Sequence, residues 1–226
     1  MKHSKRMRAN LEIVAKNKRA DLPTAVSVLQ STKPAKFDET VEIAVRLGID
    51  TKRSDHTVRG AVSLPNGVGR ESRVIAFARG EQAEKARLAG ALEVGAEELA
   101  AKIQGGWMEF DVVIASPDMM GVVGRLGKVL GPQGKMPTPK SGTVSADVSS
   151  AVREFRAGKV TVRADAAGIV HAPVGKRSFP ASKLVENVDA MLHYIRSLRP
   201  ATSKGNYFLS VALSTTMGPS VHVEGV

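Results

Sequence analysis

The stretch Ser214 Thr215 Thr216 Met217 Gly218 Pro219 Ser220 sets hydroxyls and a bare glycine at a turn after an apolar strand, groups suited to a sugar-phosphate chain. Ser and Thr hydroxyls both donate and accept, as a ribose 2′-OH does, while Gly and Pro let the backbone turn sharply and approach a partner closely. The same residues also end strands for turn chemistry alone, so the motif does not decide by itself.

Catalytic patterns are weaker. His3, His56, His171, His193 and His222 show no His-x-x-x-His spacing, and there is no cysteine to pair with them, so no metal site is expected. His171 follows Asp165 and Gly168 in a loop-and-strand context where proton transfer is conceivable, but no substrate is advertised. Gly121, Gly124 and Gly127 follow the apolar run Val112–Ala115, yet they lack the Gly-x-Gly pair and the later acidic residue of a dinucleotide site. Gly131 Pro132 Gln133 Gly134 Lys135 Met136 Pro137 lacks Walker spacing, and Gly175 Lys176 Arg177 Ser178 has no partner glycine at the needed offset. These loops read as structural turns or as backbone amides facing a phosphate. No cofactor is expected.

Charge points to a polyanion. Lys and Arg number 33 against 22 Asp and Glu, a formal +11, and such a field speeds association with phosphates and makes it salt-dependent. An anionic membrane would also answer to it, but no apolar run approaches the ~18 residues of a spanning helix. The N-terminus, where Lys2, Lys5, Arg6 and Arg8 lead into a charged helix, offers no signal-peptide core. The absence of cysteine fits a cytoplasmic protein. Aromatic residues make up 4% of the chain, too few for a sheet that stacks successive bases. Recognition would rest on shape, phosphate and 2′-OH contacts, with Phe37 placed against a sugar or a turned-out base or, equally, at the edge of the core.

Two kinds of strand must position these groups. Val41, Ile43, Val45 and Leu47 alternate with polar neighbours, as do Val160 with Val162 and Tyr207, Leu209, Val211 with Leu213, the mark of half-buried strands in an antiparallel or mixed sheet. Val74–Ala78 and Val112–Ala115 are continuous apolar runs, the first followed by a helix-like Glu81–Ala91, and read as buried parallel strands. Alternating strands lie before about residue 65 and after about 159, with the buried kind between. The expectation is therefore an α/β protein of two domains: a discontinuous split α/β domain of residues 1–67 and 159–226, and an inserted Rossmann-like domain of residues 68–158. The crossings carry Gly67, Gly69 and Gly158, placed as hinge glycines often are. Met7, Leu11 and Val14 form the apolar stripe of a first helix, and Val185, Val188, Leu192 and Ile195 that of a helix starting near a Ser182 cap, with Met191 and Tyr194 as packing residues.

Lys5 Arg6 Met7 Arg8, Ala35 Lys36 Phe37, Leu47 Gly48 Ile49 Asp50, Val58 Arg59 Gly60, Phe110 Asp111, Ser116 Pro117 Asp118, Leu130 Gly131 Pro132, Gly168–His171 and Thr215 Thr216 Met217 Gly218 occur in an order that resembles one family across nearly the whole chain. It is the family of the large-subunit ribosomal protein of the mobile stalk, ribosomal protein L-one. The resemblance implies a split α/β domain with a Rossmann-like insertion, and a non-enzymatic, cytoplasmic, ribosome-bound protein, monomeric when free. It implies partners too: large-subunit rRNA of the stalk, exit-site tRNA that the stalk helps to release, the chain's own operon mRNA as a repression target, and other large-subunit components.

Carried over by position, the RNA surface would comprise Lys36, Phe37, Thr40 and Glu42, then Asp165, Gly168 and His171, then Ser210, Thr215, Thr216, Met217 and Gly218, with Lys5, Arg6 and Arg8 adding attraction. Hydroxyls and the Gly218 N–H would meet ribose and phosphate, while Glu42 and Asp165 would accept from 2′-OH or base donors. The chain departs from the family pattern at Gln133, Lys135 and Thr138 in the middle block, and at Ala164 and Ala166 near the second patch. Two other readings stay open at this point: a nucleotide- or sugar-dependent enzyme using the middle block, and a basic protein coating any nucleic acid.

Overall fold

The structure is a computed structural model and describes residues 3–225; Lys2 of the basic N-terminus lies outside the described residues. In chain order the elements are α1 (Lys5–Ala15), β1 (Arg19–Ala20), α2 (Leu22–Ser31), β2 (Thr40–Leu47), β3 (Arg59–Ser63), β4 (Val74–Phe77), α3 (Glu81–Leu88), β5 (Glu93–Gly95), α4 (Glu97–Gln104), β6 (Val112–Ala115), α5 (Met120–Gly124), α6 (Gly127–Leu130), α7 (Val148–Arg156), β7 (Lys159–Arg163), β8 (Ile169–Lys176), α8 (Ala181–Ser197), β9 (Phe208–Thr215) and β10 (Ser220–Val223). Two compact units result. One joins the residues up to Gly69 with those from Val160 onward, and the other is Arg70–Lys159.

The first unit is built on a mixed sheet in the order β1-β10-β9-β2-β8, parallel only between β1 and β10. Alternation along β2 sends Val41, Ile43, Val45 and Leu47 into the core, where Val170, Ala172 and Val174 of β8 and Val211 and Leu213 of β9 meet them. Helices α2 and α8 close the core with Ala25, Val26 and Leu29, and with Leu184, Val188, Met191 and Ile195. Burying each large side chain contributes about 1.5–3 kcal/mol. Strands β3 and β7 form a separate two-stranded ladder.

Four expectations on these elements are corrected. Leu209 is 53% exposed, because the β2–β9 register slips between Arg46 and Leu47 and the pairing passes from Ser210 to Phe208; the extra residue of a bulge leaves the alternation. In α1 the inner face is Asn10 and Val14 rather than Leu11, which is exposed. Asn10 is affordable inside because its Nδ2 donates to the Lys33 carbonyl at 3.0 Å and its Oδ1 accepts from the Lys33 N–H at 2.8 Å. Helix α8 begins after Pro180, so Ser182 lies inside it and does not cap it. Gly121, Gly124 and Gly127 lie in α5 and α6 rather than in phosphate-cradling turns.

Segment 65–69 is fastened to α8 by buried Asn187. Its Oδ1 accepts from the Asn66 N–H at 3.0 Å, and its Nδ2 donates to the carbonyls of Gly67 at 2.9 Å and Val174 at 2.7 Å. Gly67, Gly69 and Gly158 have φ of +62°, +77° and +109°, a region that side chains rarely enter.

The second unit holds a three-stranded parallel sheet in the order β5-β4-β6. Strands β4 and β6 are buried almost throughout while β5 buries only Val94, and Ile75, Phe77, Phe110, Val113, Leu126 and Leu130 fill the core with Ile103 of α4.

Candidate nucleic-acid interface

Strand β2 lies between β8 and β9, and its register decides which sequence-nominated residues share a surface. Ala44 stands opposite His171 on β8 and Ala212 on β9. Glu42 stands opposite Pro173 and Ser214, and Arg46 opposite Ile169 and Ser210. Because Val41, Ile43 and Val45 face the core, these alternate positions face outward. Glu42, His171 and Ser210 are all exposed, and the centre of their face carries only the small side chains Ala44 and Ala212. A flat, low-relief surface of this kind admits a broad partner.

The same register removes Thr215 from the face. It pairs with Val41 and is 3% exposed, so its hydroxyl points into the protein and cannot reach a ribose as expected. Ser214, one residue earlier, is the outward hydroxyl. Sequence reasoning named Thr215 from the motif; fixing the phase of β9 against β2 would have found Ser214.

At the end of β9 the turn 215–218 is held by β2 as well as by its own backbone. The Thr216 N–H donates to the Thr40 carbonyl at 3.0 Å, and the Thr40 N–H donates to Thr216 Oγ1 at 2.9 Å. The Gly218 N–H donates to the Thr215 carbonyl at 3.0 Å, so it closes the turn and is not offered to phosphate as expected. A Cβ on Gly218 would lie 2.2 Å from Thr215 Oγ1, which explains the glycine by close approach. Arg6 is likewise committed: its Nη2 donates to the Met217 carbonyl at 3.0 Å and its Nη1 stands 3.6 Å from Glu39 Oε1. What the turn presents outward is the Met217 side chain, 50% exposed, with Phe37, 54% exposed, on the loop that precedes β2.

Glu39, which sequence reasoning missed, is fully buried. Burial alone would raise its pKa. Hydrogen bonds from the Ala35 and Met217 N–H groups, the adjoining Thr215 hydroxyl and the Arg177 charge outweigh burial and hold the carboxyl below its usual value. The Thr215 hydroxyl contributes here by proximity, since its geometry falls short of a hydrogen bond.

At the far end of β2 the loop between β7 and β8 supplies Asp165 and Gly168. Asp165 Oδ1 accepts from the N–H groups of Ile169 at 2.8 Å and Ala167 at 2.9 Å, and the Ile169 bond leads in holding this carboxyl below its usual range. Asp165 is thus first a turn-former. Gly168 takes φ +76°, and its carbonyl accepts from the Leu47 N–H at 2.9 Å. An eight-residue strand separates this loop from the Thr40 end, roughly 25 Å, with Glu42, His171 and Ser210 between.

Basic residues gather on the same unit. It carries 20 Lys and Arg against 11 Asp and Glu, +9 of the formal +11, and the second unit carries 13 against 11. Lys5, Arg8, Lys36 and Arg46 are exposed, and Lys176 Nζ donates to Thr40 Oγ1 at 3.0 Å at the head of β2. Among the described residues no three His, Cys, Asp or Glu gather as metal ligands, and no helix is long and apolar enough to cross a membrane.

Residues 29–219 match the model of the ribosomal protein L1p/L10e family. A relative from Streptococcus thermophilus, the large ribosomal subunit protein uL1, is 52% identical over 223 residues, which cover 99% of this chain and 97% of that protein. The chain belongs to the ribosomal protein L1p/L10e family. As a member it is a structural, non-enzymatic protein of the large ribosomal subunit, bound to ribosomes in the cytoplasm. That removes the enzyme reading of the middle block, in keeping with glycines that lie in helices rather than in a cofactor loop.

Proposed function

We propose that the outer face of the β8-β2-β9 sheet, with the turn 215–218 and the Phe37 loop at one end and the Asp165 loop at the other, binds the stalk region of large-subunit rRNA directly. The observation that carries this reading is the strand register, which brings Glu42, His171 and Ser210 from three strands to one exposed face of the unit that holds most of the positive charge. Exposed Lys36, Lys5 and Arg8 supply the salt-dependent attraction to phosphates. Ser210 and Ser214 give or accept hydrogen bonds at ribose, and Phe37 and Met217 pack on sugars or unstacked bases. Glu42 tolerates RNA only where a donor faces it, so it adds selectivity rather than affinity. Asp165 and Gly168 set the shape of the far loop.

On this reading the stalk protein assists the release of deacylated tRNA from the exit site. It also represses translation of its own operon by binding an mRNA segment that imitates the rRNA site. Of the three crossing glycines Gly67, Gly69 and Gly158, Gly67 is pinned through its carbonyl to Asn187, so a hinge would turn at Gly69 and Gly158. Backbone amide mapping of the full chain with a stalk-type rRNA fragment tests the surface. Shifts should concentrate in 37–46, 169–173 and 210–217; shifts confined to 70–159 would contradict the assignment.

A further inference from the structure

Among the described residues Glu39 is the one fully buried carboxylate, it lies beside the proposed RNA surface, and its two oxygens serve two different loops. Oε1 accepts from the Ala35 N–H at 2.6 Å, fixing the segment that carries Lys36 and Phe37. Oε2 accepts from the Met217 N–H at 3.2 Å, fixing the turn that carries Met217. These loops lie 182 positions apart in sequence, taking Ala35 to Met217, and each bears an apolar side chain about half exposed. Two exposed apolar side chains from distant parts of the chain are thus positioned through one shared anchor.

The carboxylate is in turn held by two arginines from different elements. Arg6 of α1 stands 3.6 Å from Oε1 and bonds the Met217 and Lys33 carbonyls. Arg177 Nη1 stands 3.9 Å from Oε1 while its Nη2 donates to the carbonyls of Gln30 and Thr32. A buried charge costs several kcal/mol in desolvation unless it is paired and hydrogen-bonded, and apolar packing at the same place is often no less stable. A buried ionic hub is therefore weak evidence for stability, and here its geometry ties two separate loops to one carboxylate.

Resting on the assignment of this face to RNA, we propose that Glu39, which touches no ligand itself, is the positioning residue that sets Phe37 and Met217 relative to each other for recognition of an RNA with unstacked bases. Glu39→Gln keeps the shape but turns one acceptor into a donor facing a backbone N–H, so one of the two loops must come loose.

The test reads two quantities on the full chain. Hydrogen exchange at the Ala35 and Met217 amides should speed at least tenfold in Glu39→Gln, while the Thr216 amide, bonded to the Thr40 carbonyl, keeps its protection. Affinity for a stalk-type rRNA fragment with an internal loop should fall ten- to a hundredfold, and affinity for a plain duplex of equal length, with its salt slope, should not change. Unchanged exchange at both amides, or equal loss on both RNAs, overturns the proposal. A wild-type chain that binds both RNAs alike defeats the RNA assignment instead, and the exchange data still judge the clamp. If Glu39→Gln does not fold, Arg6→Met, on a partly exposed helix face, should selectively speed exchange at Met217; protection as in the wild type would overturn the proposal.

Discussion

Thr40 and Thr216 hold each other reciprocally: the Thr40 N–H donates to Thr216 Oγ1 at 2.9 Å, and the Thr216 N–H donates to the Thr40 carbonyl at 3.0 Å. The first residue of β2 and the first residue after β9 are thus locked, and this pair anchors the start of the turn, while Glu39 and Arg6 hold Met217 beyond it. Thr216→Val removes the acceptor and keeps the volume. We expect a stability loss of about 1 kcal/mol by denaturant unfolding, and a loss of stalk-RNA affinity of on the order of tenfold with duplex affinity unchanged. Unchanged RNA affinity in a folded variant removes Thr216 from the interface.

Gly218→Ala brings a Cβ to 2.2 Å from Thr215 Oγ1. Thr215 is buried and cannot swing outward without leaving the core face of β9, so the turn must shift. Overpacking of this kind costs about 1–3 kcal/mol. Thermal unfolding should show a lower Tm, and specific RNA binding should fall with it.

Asn187→Leu strips hydrogen bonds from the Asn66 N–H and the Gly67 and Val174 carbonyls at once. Buried backbone groups left without partners cost about 1–3 kcal/mol each, partly relieved where water reaches the 66–67 segment. A net loss of about 3 kcal/mol in denaturant unfolding is expected, with RNA affinity of the remaining folded protein near wild type, because the change lies on the core side of the sheet.

The Glu39 carboxyl sits below its ordinary value of 4.5 in the folded chain, since its hydrogen bonds and the Arg177 charge outweigh burial. A depressed folded pKa means that the unfolded chain takes up the proton first as pH falls. The stabilisation is fully present above the unfolded value and is lost as pH drops from there through the folded pKa. Asp165, held down mainly by the Ile169 N–H, follows the same sign. Between about pH 5 and 3, Glu39→Gln should therefore show a shallower decline of unfolding midpoint than the wild-type chain. Parallel declines would mean that Glu39 is not depressed.

Much of the architecture was legible because hydrophobic period reports burial directly. The alternation of Val41, Ile43, Val45 and Leu47 and the continuous run Val74–Phe77 separated a sheet covered on one face from one buried on both. What the period could not supply was phase between strands. Thr215 and Ser214 are equally good hydroxyls in sequence, and only the pairing of Thr215 with Val41 turns one inward and the other out. Leu209 failed for a related reason, since a bulge is a property of two strands together. Glu39 was hidden by its chemistry: a carboxylate is a poor core candidate until partners as distant as Met217 and Arg177 are folded around it. The glycines at 121, 124 and 127 misled in the opposite way, because a three-residue spacing suits a helix face as well as a turn.

Binding of the purified chain to a stalk-type rRNA fragment with its internal loop, beside a plain duplex of equal length, across a salt series, bears most directly on the outer face as an rRNA site. A preference of about a thousandfold that persists as salt rises, the margin of specific over non-specific recognition, is the predicted result. Equal affinities that fall together with salt would mean that charge acts alone and that this face reads no site.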